Sequence, residues 1–253
     1  MIHFVGAGSG AADLITVRGK NYLEAADVII YAGSLVNPQL LDYAKEGCQI
    51  YNSAEMTLEE VLEVMFAAEK DGKTTVRLHT GDPCLFGAIR EQMDVLEEKE
   101  IKYDSCPGVS SFCGAASALN LEYTLPDVSQ SVIITRMAGR TPVPTKESIE
   151  SFASHHATMV VFLSTGMLEE LSQRLIEGGY TADTPAAIVY KATWPDEKTF
   201  VCTVGTLAQT AKEHNITKTA LMIIGDVVAH NHYDRSELYN PEFTTEFRKG
   251  TIR

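Results

Sequence analysis

Short apolar runs alternate with amphipathic stretches along the whole chain, which is the pattern of an α/β protein. In the first half, runs over residues 2–5, 28–31, 49–51, 75–78 and 102–105 predict strands with helices between them. The clearest helix has Thr57 as N-cap with Glu60 three residues on, and carries Leu58, Val61, Leu62, Met65 and Phe66 on one face before Gly72 stops it. Its Met and Phe read as core. A second helix is predicted over 87–99, ending in the solvated charge run EEKE. Periodicity lapses over 120–130, where Pro126 and Asp127 interrupt it, and resumes with a strand over 131–135. Further strands are predicted over 159–163, 186–190, 199–204 and 221–224, with a helix over 167–177. The expected organisation is two α/β domains, 1–120 and 128–235, and a polar, aromatic-spotted tail, 236–253, lying on the surface or on a partner subunit.

Composition narrows the partners. With 34 acidic and 21 basic residues among 253, the net charge of −13 repels nucleic-acid phosphates and anionic bilayers alike. No apolar run approaches the ~20 residues of a spanning helix, and Met1 leads directly into a strand-like IHFVG, so the expected location is the cytoplasm. Cys48, Cys84, Cys106, Cys113 and Cys202 form no CxxC pair and read as reduced, mostly buried thiols. The pairs His155 and His156, and His230 and His232, lack metal-ligand spacing and read as solvated residues, so no metal is expected.

Several loops carry candidate chemistry. VGAGSG, from Val5 to Gly10, follows the first strand and loosely matches a dinucleotide-binding loop. Two features oppose that reading. The second strand runs into Ala32 and Gly33 without the acidic residue that holds a ribose, and Asp13, in or near the first turn of the next helix, repels a pyrophosphate. A tight turn with no ligand is the alternative. GDPCLFG, from Gly81 to Gly87, and PGVSS, from Pro107 to Ser111, follow strands at the end where open α/β sheets bind ligands. Here Phe86 is equally a core anchor, and Ser110 or Ser111 equally an ordinary N-cap. TRMAGRTPVP concentrates Arg136 and Arg140 in a turn-rich segment of an acidic chain, which suits gripping carboxylates or, more simply, an exposed loop.

Taken in order, VGAGSG, GDPCLFG, PGVSS, GRTPVP and TPAAIVYKATWP resemble the tetrapyrrole methylases over roughly residues 2–230. The resemblance implies two α/β domains with the cofactor in the cleft between them, a homodimer, and methyl transfer from S-adenosyl-L-methionine, leaving S-adenosyl-L-homocysteine. It implies cofactor contacts at Gly81, Asp82, Leu85, Ser110, Ser111, Ser164, Ala192 and Ala220. Ser164 stands where relatives supply a methionine contact, and Ala192 where they often have glycine. Gly6, Gly8, Ser9 and Gly10, with serine where a proline is common, are implied as the floor of the substrate site, and Arg136 and Arg140 as substrate ligands. TR followed by GRTPVP looks like the branch acting on precorrin-4 or cobalt-precorrin-4 at carbon 11, in cobalamin biosynthesis. Other tetrapyrrole methylations, on uroporphyrinogen III or another precorrin, a diphthine-type methylase, and a tetrapyrrole or nucleotide carrier without turnover are the alternatives. No general base is nominated; Asp13 and Tyr31 are candidates only.

Overall fold

The computed structural model describes residues 1–251; the last two residues of the predicted tail lie outside that range. The chain forms two compact units, residues 1–115 with 191–197, and residues 116–190 with 198–253.

The first unit holds β1 (Ile2–Gly6), α1 (Val17–Ala25), β2 (Val28–Tyr31), β3 (Gln49–Asn52), α2 (Leu58–Lys70), β4 (Thr75–His79), α3 (Arg90–Glu98) and β5 (Tyr103–Cys106), and α4 (Ser111–Leu119) begins in it. Its five strands are all parallel, in the order β3-β2-β4-β1-β5. Both faces are covered, so the central strands are apolar throughout and not alternating. Val5, Leu23, Ile29 and Leu78 build one core, and Ile2, Phe4, Ile30, Met65 and Leu96 the other. Helix α2 has the predicted capping box, with Thr57 and Glu60 each accepting the other's backbone N–H.

The second unit holds β6 (Val132–Arg136), α5 (Ile149–Ala153), β7 (Thr158–Phe162), α6 (Leu168–Glu177), β8 (Pro185–Tyr190), β9 (Lys198–Thr203), α7 (Leu207–Glu213) and β10 (Ala220–Ile224). Its sheet is mixed, ordered β6-β7-β10-β8-β9, with only β6 and β7 parallel. Leu171, Leu175 and Leu207 pack with Met159, Ile188 and Met222 in its core.

Four expectations change. The helix expected from residue 87 starts at Arg90, because Phe86 and Ala88 adopt left-handed backbone, φ 56° and 49°, that no α-helix accommodates. Phe86 is 46% exposed and so is not a core anchor. Asp13 lies in a separate 3-10 turn, Ala12–Leu14, while α1 begins only at Val17, capped by Thr16. The thiols are not mostly buried: Cys106 is, but Cys84 and Cys113 are exposed, one in a loop and one on the outer side of α4.

Candidate functional site

Because β4, β1 and β5 are adjacent and parallel, the loops after them meet at one end of the first sheet. What lets them meet is the absence of side chains. A Cβ on Gly6 would lie 2.5 Å from Gly108 Cα and 2.6 Å from the Gly81 carbonyl oxygen, and a Cβ on Gly108 would lie 2.1 Å from that oxygen. Gly8 and Gly81 then exchange backbone hydrogen bonds, at 3.2 and 3.0 Å, in an isolated antiparallel bridge.

Asp82 fastens this junction. Its carboxylate accepts the Cys84 N–H at 2.8 Å and the Gly108 N–H at 2.9 Å, joining the GDPCLFG and PGVSS loops. Burial works against its charge, but those hydrogen bonds outweigh it and hold the carboxyl below its usual range. Leu85 closes the turn through its N–H to the Asp82 carbonyl. Ser110 is buried, and its carbonyl accepts from Cys113 and Gly114 in the first turn of α4.

The glycine loop is roofed by the chain itself. Residues 191–197 return to it, with the Thr193 hydroxyl 3.1 Å from Ser9 Oγ and accepting the Ala11 N–H at 3.0 Å. A Cβ on Gly10 would fall 2.2 Å from the Trp194 ring and 2.6 Å from the Ala192 carbonyl oxygen. Asn37, itself buried, donates to the Gly10 carbonyl at 2.9 Å. The Cβ directions of Gly6, Gly8 and Gly10 thus point at Gly108, Leu14 and Trp194, all parts of the protein. With α1 starting seven residues after Gly10, no helix N-terminus is aimed from this loop at a phosphate, which removes the physical basis of dinucleotide binding here.

Beneath this junction, on β4, lie two ionisable groups that the sequence reading passed over. Arg77 is buried with its guanidinium on Gln92 Oε1 and the Ile30 carbonyl, and burial pushes its pKa down to about 10. His79 is 3% exposed with Nε2 unpartnered among the described residues. Burial, and then the Arg77 charge, push its pKa down to about 3, so it is neutral at physiological pH.

In the second unit, Arg136 ends β6 opposite Phe162 of β7. Ser164 is fully buried; its hydroxyl donates to the Phe162 carbonyl and accepts the Met137 N–H at 2.9 Å. That side chain is committed to the protein, which leaves only backbone for a ligand. Thr165 Oγ1 donates to the carbonyl of Ala220, the first residue of β10, at 3.2 Å. Arg136, Ser164 and Ala220 therefore share one end of the second sheet. Arg136 turns back on its own loop, whereas Arg140 is exposed and makes no hydrogen bond or ion pair among the described residues.

Of the predicted site residues, the first unit brings together Gly6, Gly8, Ser9, Gly10, Gly81, Asp82, Leu85, Ser110, Ser111 and Ala192. Neither candidate base gains support. Asp13 is exposed, and Tyr31 is a partly buried ring packed against the core. Gly108, Thr193 and Trp194 lie inside the PGVSS and TPAAIVYKATWP motifs but were given no role of their own, and Asn37 was not singled out.

The family model described as tetrapyrrole (corrin/porphyrin) methylases matches residues 1–208. The cobalt-precorrin-4 C(11)-methyltransferase of Methanocaldococcus jannaschii is 51% identical over 246 residues, covering 97% of this chain and 95% of its own. A precorrin-4 C(11)-methyltransferase of a Sinorhizobium species is 41% identical over 248 residues, covering 98% of each. The X-ray structure of a cobalt precorrin-4 methyltransferase, described as a cobalamin biosynthetic enzyme, superposes with a TM-score of 0.88 at 42% identity, over 90% of this chain and 95% of that one.

Proposed function

The chain belongs to the tetrapyrrole (corrin/porphyrin) methylases, and from that premise we propose that it methylates carbon 11 of cobalt-precorrin-4, with S-adenosyl-L-methionine as donor. The observation that carries this reading is the 51% identity, over 97% of the chain, to an enzyme named for that reaction.

The residues fit such a cofactor. S-adenosylmethionine supplies an activated methyl group on a sulfonium, so the protein's task is alignment and exclusion of water. Gly81, Asp82, Leu85, Ser110 and Ser111 form one loop junction at the carboxyl end of the first sheet, where open α/β sheets bind ligands. Within the second unit taken by itself, Ser164 and Ala220 lie at one end of its sheet, and within the first, Ala192 lies in the turn over the glycine loop. Bound there, S-adenosyl-L-methionine would give its methyl group to the electron-rich ring carbon and leave as S-adenosyl-L-homocysteine. Arg140 offers an uncommitted guanidinium to the substrate's carboxylates, worth on the order of 1.5–3 kcal/mol for a charged hydrogen-bonded pair.

The test feeds cobalt-precorrin-4, precorrin-4 and uroporphyrinogen III with methyl-labelled cofactor and maps the labelled carbon by NMR. Label at carbon 11, fastest with the cobalt form, is expected; label elsewhere, or equal use of uroporphyrinogen III, overturns the assignment. We infer further that the enzyme is a cytoplasmic homodimer, and light scattering reporting the 27.7 kDa monomer at micromolar concentration contradicts the dimer.

A further inference from the structure

We propose that Arg136 is a positioning residue and not a substrate ligand: its guanidinium fixes the loop over residues 137–142 so that Arg140 is presented to the substrate's carboxylates. The proposal rests on the reading of Arg140 just given.

The loop has little else to hold its shape. It contains Gly139 and Pro142, and among the described residues its internal backbone bonding is one contact, Gly139 N–H to the Thr141 carbonyl at 3.3 Å. Its start is fixed by the Ser164 hydroxyl, which accepts the Met137 N–H. Beyond that point the carbonyls of residues 137, 141 and 142 converge on one side chain. Arg136 donates from Nη1 to Met137 at 3.2 Å and to Thr141 at 3.1 Å, and from Nη2 to Pro142 at 2.9 Å.

Those three bonds engage both terminal nitrogens, the end of the fork from which a guanidinium takes a carboxylate head-on. To turn toward a substrate, Arg136 would release three carbonyls of its own loop. Arg140, between Gly139 and Thr141 at the exposed part of the loop, carries no such ties. A planar fork that spans several acceptors orders a glycine-containing loop before the substrate arrives, which lowers the ordering cost at binding.

The test is a double-mutant cycle, R136A, R140A and R136A/R140A, with KM and kcat for cobalt-precorrin-4 measured on each. R140A is expected to raise KM roughly ten- to a hundredfold, the loss of one charged pair. R136A should raise KM without touching substrate, and the double variant should stay within about twofold of R140A, because both changes remove the same contact. R136K, which keeps the charge without the planar fork, should behave as R136A. Limited trypsinolysis without substrate gives an independent reading: cleavage after Arg140 should be faster in R136A than in wild type. KM losses that multiply in the double variant, recovery by R136K, or unchanged cleavage each overturn the positioning role. Failure of the wild type to methylate any tetrapyrrole would sink the functional reading instead, and the proteolysis result separates the two.

Discussion

His79 is an exacting residue of the first sheet, because its imidazole is buried beside the Arg77 charge and unpartnered at Nε2 among the described residues. Its folded pKa of about 3 lies below the ordinary value of 6.5, so the unfolded chain binds the extra proton between those limits. Stability is therefore full above about pH 6.5 and declines as pH falls, by about 2 kcal/mol between pH 7 and pH 5 from this group alone. Urea unfolding at pH 7, 6 and 5 should show His79→Gln losing correspondingly less stability than wild type; parallel profiles would remove His79 as the cause. Gly108 tests the loop junction in the same way. A methyl group there meets the Gly81 carbonyl oxygen at 2.1 Å, well inside contact distance, so Gly108→Ala should destabilise the fold by about 1–3 kcal/mol. Calorimetric binding should show a matching loss of S-adenosylmethionine affinity. A stable variant with unchanged affinity would separate the glycine junction from the cofactor.

At the scale of elements, what was legible in the sequence was whatever depends on neighbours along the chain. The capping box at Thr57 and Glu60, the apolar face of α2 and the strand runs are local, and the structure reproduces them within a residue or two. Thr57→Ala should cost about 1 kcal/mol, read as a shift of the denaturant midpoint with unchanged slope, and no change in kinetics is expected. Contacts between distant segments were not legible. The glycines of VGAGSG read as room for a ligand, yet Trp194 and Ala192 fill the space over Gly10, and nothing within a few residues of Gly10 announces it. Arg136 read as a free cation for a different reason: its acceptors lie one to six residues away, but an irregular loop has no periodicity to announce how it folds back. Leu163 is left-handed at φ 53° and 63% exposed, so Leu163→Gly should raise stability by up to about 1 kcal/mol while removing little buried surface. A drop in the unfolding midpoint would show instead that the leucine packs usefully where it stands.

For the whole molecule, the sequence carries the charge balance faithfully and the strand directions poorly. The first sheet follows from strands alternating with helices, but β8, β9 and β10 look locally like their parallel counterparts and pair antiparallel. A net charge of −13 sets the folded chain against itself, because compaction brings like charges together. Raising sodium chloride from about 20 to 300 mM at pH 8, where the Debye length shortens from roughly 20 to 6 Å, should raise the urea midpoint. A fall would mean that the surface ion pairs, such as Arg174 with Glu150 and Glu170, outweigh the net repulsion.

The return of residues 191–197 to the first unit also has a consequence in time. A ribosome that has finished residue 115 has made the whole first sheet but not Thr193 and Trp194, which close over Ser9 and Gly10. About 80 more residues must be translated first, roughly 4–16 s at cellular elongation rates. Through that interval the nascent sheet waits with its glycine loop unroofed, and the last step in completing the first unit is set by the pace of translation and not by the speed of local folding.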